Sequence, residues 1–217
     1  MIQLRRYQLE DESTPVTEWL GGLRDMRARV QIEVRLRRVS AGNFGDCKPV
    51  GEGVSELRVD MGAGYRVYYG KHGQALILLL CGGDKGSQHT DIARAKTYWA
   101  DWKREKFMKK TLTASVSHTG ETIKELRADR QFAVAYLKAA LAELDDPTNR
   151  AAGLLALRDV AEAYGGLGVV AAQAGISREA LYRSLSPKGN PTLKTLLAVL
   201  KAVGMRLSVE PETLAQT

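Results

Sequence analysis

Three basic side chains, Arg58, Arg66 and Lys85, occur in a part of this 217-residue chain where two strands and a loop would bring them together. Lys48 precedes them and approaches the same strands. A concave group of cations can bind a phosphate backbone. It can also cleave RNA by helping a 2′-hydroxyl attack the adjacent phosphate, a reaction that needs a base, positive charge on the phosphate and an acid. From the residue pattern alone, binding without catalysis is the simpler interpretation.

A lysine that lies among arginines can act as the base of such a reaction, because like charges disfavour its ammonium form. The chain shows no acidic pair, no Ser–His set and no CxxC motif, and its histidines, His72, His89 and His118, lack metal-ligand spacing. The sequence therefore predicts neither a metal nor a cofactor.

Alternating patterns predict the strands that carry these cations. "SELRVDM" places Leu57 and Val59 on one face and Arg58 on the other, and "YRVYY" alternates in the same way around Arg66. "QALILLLCGG" is apolar on both faces, which is typical of a central, buried strand. With an edge strand at "IQLRRYQL", these runs predict an antiparallel sheet that has helices on one face and its polar face open.

Two helices should precede these strands, and one should follow them. Thr14 and Pro15 have the residue types of a helix cap and a first helical position. The helix from about residue 25 to 41 has two rows of apolar residues and six arginines, which include Arg35 and Arg38. This basic surface is open to two interpretations, a solvated helix face or an RNA-contacting face.

The chain from residue 129 onward has a helical pattern that includes a helix-turn-helix signature. In "LGVVAAQAGISREALYRSLS", Ala171, Gly175, Ile176 and Leu181 have the spacing of that motif, with a small residue where the helices cross and a glycine in the turn. The predicted DNA-binding residues are the outward-facing ones of the second helix and a following lysine: Ser177, Arg178, Tyr182, Arg183 and Lys188. A plain helical bundle is the alternative interpretation of the same spacing.

Charge and composition favour nucleic acid as the partner. The formal net charge is +7, with 18 basic against 14 acidic residues before Met108 and 14 against 11 from Met108 onward. Both halves are therefore basic, as expected of proteins that bind polyanions. The longest apolar run, 75–81, is far shorter than the roughly 20 residues that span a bilayer, so we expect no membrane partner. Cys47 and Cys81 are consistent with a reduced, cytoplasmic setting.

The first half resembles a known toxin family through the run "ELR", "GYRVYY", "LLCGGDK", "SQ" and "DIARA", in that order. It is similar to the RelE/HigB superfamily, and within it to the addiction-module killer proteins of plasmid-stabilisation systems. The resemblance covers most of residues 1–107 and implies a small α+β fold and a ribosome-dependent, metal-independent mRNA endonuclease. It implies catalytic roles for Arg58, Arg66 and Lys85, and RNA contacts for Lys48 and Gln88. The family loop usually has a second serine where this chain has Gly86.

The second half resembles the antidote proteins of the same modules, through "AYLKAAL" and "GISREALYRSLSPKGNPTLKTLLAVLKAVGMRLSVEP". This HigA-like, Cro/repressor-type resemblance implies operator binding, dimerisation and neutralisation of the killer protein. The predicted domains are residues 1–107 (toxin-like), 108–128 (linker and antidote N-terminal segment, with a flexible tether from about residue 105 to 120) and 129–217 (all-α antidote). Met108 resembles the old start of the antidote, joined in frame to the toxin.

Three functions remain open from the sequence. The chain could be a fused type II toxin–antitoxin whose mRNA-cleaving half is held latent by contact within the chain or by a swapped homodimer. It could be a DNA-binding transcriptional regulator with a catalytically dead toxin-like assembly domain. It could also be a fused gyrase poison, since related folds attack gyrase without cutting RNA and fold alone does not decide activity.

Overall fold

The computed structural model describes residues 1–109 and 115–208, and for residues 106–109 it describes only the helical backbone. The protein is an α+β chain with a six-stranded, mostly antiparallel sheet followed by a helical region. In chain order the elements are β1 (Gln3–Tyr7), α1 (Pro15–Gly22), α2 (Met26–Ala41), β2 (Cys47–Gly51), β3 (Val54–Val59), β4 (Tyr65–His72), β5 (Leu76–Gly83), α3 (Gln88–Lys109), β6 (Ser115–Ser117), α4 (His118–Ala128), α5 (Arg130–Ala142), α6 (Arg150–Ala163), α7 (Gly166–Ala174), α8 (Arg178–Ser184) and α9 (Leu193–Ala202).

The sheet has the strand order β2-β3-β4-β5-β1-β6. β1 and β5 are parallel, and the other neighbouring strands are antiparallel. The prediction of an edge strand for "IQLRRYQL" is wrong, because β6 of the second half covers the other side of β1. The alternating runs form β3 and β4, and the apolar run forms β5 in the interior of the sheet, as predicted. β2 was not predicted, because the sequence "CKPVG" contains a proline and a glycine and is mostly exposed, as edge strands often are.

Helices cover both faces of the sheet, so the prediction of an open polar face is wrong. Leu20 of α1 and Leu36 of α2 pack on one face, against Leu57 of β3 and Ile77 of β5 among others. On the opposite face, Trp99 and other residues of α3 pack against Tyr68, Leu78 and Leu80. The polar side chains of β3 and β4 therefore lie beside the first turn of α3, at the margin of a covered surface.

Helix α2 lies between the sheet and the second half of the chain. Its row Ile32, Leu36 and Val39 faces the sheet, whereas Val30 and Val34 join the core of the helical region. Asp25 caps this helix by accepting hydrogen bonds from the Arg27 and Ala28 amides. The two apolar rows visible in the sequence thus correspond to two different contact surfaces of one helix.

Residues 115–128, which were predicted as part of a linker, form β6 and α4. β6 pairs antiparallel with β1, so the second half adds the sixth strand to the sheet of the first half. A flexible tether over residues 105–120 is therefore wrong for residues 115–120, because pairing with β1 and the Ser117 cap of α4 fix them. It is also wrong for residues 105–109, which belong to α3, whereas residues 110–114 lie outside the described residues. Within residues 1–109 and 115–208, no helix is long and apolar enough to cross a bilayer.

Candidate functional site

The strand register brings the predicted cations of the first half together. Arg58 of β3 is the direct partner of Arg66 of β4, and Lys48 of β2 is the partner of Glu56. Directly opposed residues of an antiparallel pair project from the same face, so all four side chains share the face on which α3 packs. Arg66 also pairs with Gly83 of β5, immediately before the loop that carries Lys85.

Glu56 is the centre of this group, although its position in the sequence pattern does not distinguish it from a solvated residue. Its carboxylate is buried, at 1% exposure, and it contacts both arginines. Arg58 Nη2 lies 2.7 Å from Glu56 Oε1, and Arg66 Nε lies 3.5 Å from Glu56 Oε2. The Gln88 amide donates to the same Oε2 at 3.1 Å. We call Glu56, Arg58, Arg66 and Gln88 the Glu56 cluster.

Lys85 lies in the loop beside the Glu56 cluster, and its side chain is exposed. Its backbone amide donates to the Ala63 carbonyl at 3.4 Å, which joins this loop to the β3–β4 turn. Asp84 organises the loop by accepting hydrogen bonds from the Gly86 and Ser87 amides. Lys48 is likewise exposed on β2. The structure thus brings the predicted catalytic residues and Lys48 into one region. Arg58 and Arg66 contact the Glu56 carboxylate, whereas Lys48 and Lys85 do not.

The cluster borders a cleft of about 320 Å³ lined by Arg58, Arg66 and Tyr65 among others. Arg58 is 36% exposed and Arg66 13% exposed, so both guanidinium groups retain some access to solvent. Guanidinium groups bind phosphate oxygens through paired N–H donors, and a nearby lysine adds charge. The arrangement can therefore bind a phosphodiester. Glu56 orients Arg58 by accepting a hydrogen bond from its Nε at 2.8 Å, and the Gly64 carbonyl orients Arg66 by accepting from its Nη1 at 2.6 Å.

Arg35 and Arg38, the predicted RNA contacts on α2, have different surroundings. Arg35 donates to the carbonyls of Asn43 and Phe44 and holds the loop after α2. Arg38 forms two hydrogen bonds with the carboxylate of Glu143 in the second half. The basic side of α2 is therefore largely a contact surface between the two halves, which neither interpretation of the sequence had anticipated.

A buried polar cluster joins the halves on the other side of α2. Arg6 of β1 binds Glu33 of α2 at 2.9 Å and Glu125 of α4 at 3.0 Å. Arg6 Nε also donates to Nδ1 of His118 at 3.0 Å, and His118 Nε2 lies 3.3 Å from Glu33. Arg6, Glu33 and His118 are fully buried. We call Arg6, Glu33, His118 and Glu125 the Arg6 cluster.

Burial and neighbouring charges shift the titrations in the Arg6 cluster. Burial, with a contribution from Arg6, lowers the pKa of His118 to about 4 although Glu33 opposes this. Burial alone raises the pKa of Glu33, but its interactions with His118 and Arg6 outweigh burial and bring that pKa down to about 2. Burial raises the pKa of Glu125. His118 is thus neutral and Glu33 ionised at neutral pH.

A second buried ion pair lies between α2 and α6. Arg37 Nε is 2.6 Å from Asp159 Oδ2, and the Tyr136 hydroxyl donates to the same oxygen at 3.2 Å. Burial raises the pKa of Asp159 to about 6, although Arg37 acts in the opposite direction. Burial alone would lower the pKa of Arg37, but Asp159, Tyr136 and Glu33 together outweigh it, so that pKa is raised. An unpaired charge here would be costly, so this pair requires both halves.

Helices α7 and α8 carry the residues predicted to bind DNA. Gly175 joins the two helices with φ of 65°, the left-handed conformation that favours glycine. All five predicted residues are exposed: Ser177, Arg178, Tyr182, Arg183 and Lys188.

Ser177 also caps α8 by accepting a hydrogen bond from the Ala180 amide. The guanidinium group of Arg158 lies 5.0 Å from the centre of the Tyr182 ring. Side chains on the exposed side of α8 are thus available to a large polyanion. Over the described part of the chain, no group of three His, Cys, Asp or Glu residues is arranged to hold a metal ion.

Comparison with known proteins gives a match for the second half. A family model described as "Probable addiction module antidote protein" matches residues 120–211. An uncharacterized protein of Haemophilus influenzae is 50% identical over 78 residues, which cover 36% of this chain and 79% of that protein. Another uncharacterized protein of the same organism is 44% identical over 62 residues, or 29% of this chain. The chain spans 63% of that second relative's length. No solved structure gives a significant match.

Proposed function

Because this chain belongs, through residues 120–211, to the family of probable addiction module antidote proteins, we propose that it is a self-inhibited toxin–antitoxin fusion. Residues 1–107 are the toxin domain, a latent, ribosome-dependent mRNA endonuclease. Residues 129–217 are the antidote domain, which neutralises the toxin and binds operator DNA to regulate its own synthesis. Residues 108–128 join them and contribute β6 and α4 to the contact.

The observation that carries this proposal is the buried contact surface around α2. Arginines of α2 pair with carboxylates of the second half, as in Arg37 with Asp159 and Arg38 with Glu143. Val30 and Val34 pack into the same core as Phe132 and Tyr136. Complementary charges combined with a shared apolar core are typical of a specific, permanent interface. We therefore take the first half, through its basic helix α2, to be the protein partner that the antidote domain binds within the same chain.

The proposed reaction of the toxin domain uses the Glu56 cluster and Lys85. Arg58 and Arg66 would hold the phosphate and stabilise the charge that develops when the 2′-hydroxyl attacks it. Lys85, on the adjacent loop, would take the proton of the 2′-hydroxyl as the base while the 2′-oxygen bonds to phosphorus. The P–O5′ bond then breaks, the 5′-oxygen leaves with a proton from water, and a 2′,3′-cyclic phosphate remains. Glu56 would keep Arg58 directed toward the cleft, and the Gly64 carbonyl would do the same for Arg66.

The proposed DNA contact uses α8 as the recognition helix. Arg178, Tyr182 and Arg183 are exposed on α8, with Lys188 just beyond it. Arginine can bind two acceptors of a guanine in the major groove, whereas lysine and hydroxyl groups contact phosphates. Two copies of such a domain would bind the two halves of a palindromic operator, so we propose a homodimer on DNA.

Translation of a defined mRNA tests the toxin activity. Residues 1–109, added to a purified translation system, should cut the mRNA on ribosomes, and the cleavage sites can be mapped by primer extension. The full-length chain should cut far less, and the Arg66→Ala variant of residues 1–109 should lose about 100- to 10,000-fold in rate. Equal cleavage by the folded Arg66→Ala variant would remove the catalytic assignment.

A second candidate function is a DNA-binding regulator whose toxin-like domain serves only in assembly. One observation favours it: Glu56 pairs with both Arg58 and Arg66, which reduces the charge available to a phosphate. In this case residues 1–109 should cut no mRNA with or without ribosomes, while the full-length chain still binds operator DNA.

A further inference from the structure

A second cleft continues from the Glu56 cluster along the edge of α2. It has a volume of about 210 Å³ and is lined by Arg35, Arg38 and Arg58 together with Gln31, Asp60 and Met61. Arg58 also lines the cleft at the Glu56 cluster, so it connects the two. Burial and then the charge of Arg38 lower the pKa of Arg35, which shows that the two guanidinium groups affect each other. The region thus carries an excess of positive charge.

Glu143 of the second half binds Arg38, one of the arginines that line this cleft. Arg38 Nε lies 2.7 Å from Glu143 Oε2, and Arg38 Nη2 lies 2.6 Å from Glu143 Oε1. These two parallel contacts have the fork geometry in which a guanidinium group binds two oxygens of a phosphate. The Arg38 side chain is 28% exposed and that of Glu143 10% exposed, so solvent reaches the pair mainly from the side of Arg38.

The position of Glu143 in its own helix is unfavourable without Arg38. Glu143 is the C-cap residue of α5, and a carboxylate at a helix C-terminus is repelled by the negative end of the helix dipole. The contact with Arg38 offsets this repulsion. Asp145, two residues further on, is exposed and forms no ion pair among the described residues. A carboxylate in this turn can therefore be accommodated without an arginine partner when it faces solvent.

We propose that Arg38 is a phosphate-binding position for single-stranded RNA that extends from the Glu56 cluster, and that Glu143 occupies it in the fused chain as a substitute for the phosphate. This inference rests on the proposed function and specifies how the antidote domain regulates that site. Arg35 adds charge while it holds the adjoining loop, and Arg58 connects the Arg38 position to the Glu56 cluster. The antidote domain then competes directly with one phosphate of the RNA, while Arg66 and Lys85 remain uncovered by the Glu143 contact.

Binding of a short fluorescein-labelled oligouridine to the full-length chain, measured by anisotropy over a salt series, tests this proposal. Glu143→Gln should bind about tenfold more tightly than the wild type at low salt, because Arg38 gains a phosphate partner. The slope of log K against log salt should become steeper by about 0.7, the value for one additional phosphate contact on a single strand. Glu143→Ala is the second variant, used if glutamine still occupies Arg38.

Two controls separate this mechanism from its alternatives. Asp145→Asn removes the same charge from the same turn and should leave affinity and slope unchanged. Arg38→Ala breaks the same ion pair without freeing a guanidinium group, so it should give no gain, and it should abolish the gain of Glu143→Gln in the double variant. A gain with Arg38→Ala alone would mean that a looser interface is responsible, which overturns the proposal.

The outcomes also distinguish this inference from the proposed function. If Arg66→Ala weakens RNA binding but neither Glu143 variant strengthens it, the Arg38 position is wrong and the RNA site at the Glu56 cluster stands. If no variant, including Arg66→Ala, changes RNA binding, both proposals fail. Circular dichroism and thermal unfolding of each variant establish that the compared proteins are folded.

Discussion

The buried His118 should make the contact between the two halves sensitive to acid. Arg6 Nε donates to His118 Nδ1, so the ring is neutral and carries its proton on Nε2, which faces Glu33. A proton on Nδ1 would point at the Nε–H of Arg6, and the buried site offers no water to separate them. Protonation of the ring is therefore unfavourable in the folded chain. Replacement of His118 by glutamine removes this titration and keeps a polar side chain of similar size.

The magnitude follows from the shift in pKa. Between its ordinary value of 6.5 and its value in the folded chain of about 4, the unfolded chain binds a proton at this residue and the folded chain does not. The free energy of unfolding therefore falls as the pH is lowered through this window, and the contribution is fully present only above 6.5. One pKa unit corresponds to about 1.4 kcal/mol, so the wild type should lose about 3 kcal/mol more than His118→Gln between neutral pH and about pH 4.

Urea unfolding at several pH values measures this difference. All three tryptophans lie in the first half, so their fluorescence reports that half, while circular dichroism reports the helices of both halves. The carboxylates shifted by burial, such as Asp159, are present in both proteins and largely cancel in the comparison. His89→Gln is the matched control, because His89 is exposed and its replacement should leave the pH profile unchanged. If wild type and His118→Gln lose stability in parallel from neutral pH to about pH 4, the argument from burial and Arg6 is refuted.

Three further substitutions test other parts of the structure. Asp159→Asn should lower the free energy of unfolding by about 3–5 kcal/mol, measured in urea at neutral pH, because it leaves Arg37 buried without its counter-charge. Gly70→Ala should lower it by about 1–3 kcal/mol in the same measurement, because a Cβ on this strand would overlap the Trp99 ring. Arg183→Ala should weaken operator binding by about 1–3 kcal/mol if it contacts a base, measured by anisotropy on operator and scrambled duplexes.

Each of these substitutions has a result that would contradict its reasoning. Asp145→Asn, on an exposed aspartate, is the control for Asp159→Asn, and equal stability of the two variants would show that the Arg37 pair is not required. Gly70→Ala with wild-type stability would mean that Trp99 moves aside without cost. For Arg183, an equal loss of affinity on both duplexes with a flatter salt dependence would indicate a phosphate contact and not a base contact.

Local patterns in the sequence were sufficient to predict most of the first half. The period-2 alternation around Arg58 and Arg66 predicts β3 and β4, and the apolar run predicts β5, because burial on one or both faces fixes those patterns. The starts of α1 and α2 were predictable because the signals are local: Pro15 stands at the first helical position of α1, and the Asp25 side chain caps the first turn of α2. β2 and β6 escaped prediction because short edge strands depend on a neighbouring strand and need no apolar alternation of their own.

The contacts that join the halves could not be predicted in the same way. The arginines of α2 suggested either solvent or RNA, since a charge pattern does not identify its partner when the carboxylates lie more than 100 residues away in the chain. The two apolar rows of α2 were the available signal, because a helix that is apolar on two sides must be covered on two sides. Glu56 was overlooked because an acid on the polar face of a strand has the pattern of a solvated residue, and only its 1% exposure distinguishes it.

The central claim, that the second half holds the first half inactive, is tested most directly by growth of cells after induction. Full-length chain and residues 1–109 are compared at matched soluble levels, each with its Arg66→Ala variant. We expect residues 1–109 to arrest growth, and the full-length chain and both Arg66→Ala proteins to permit it. Equal arrest by the full-length chain and by residues 1–109 would show that the fused second half does not inhibit, and normal growth with soluble, folded residues 1–109 would show that the first half is no toxin.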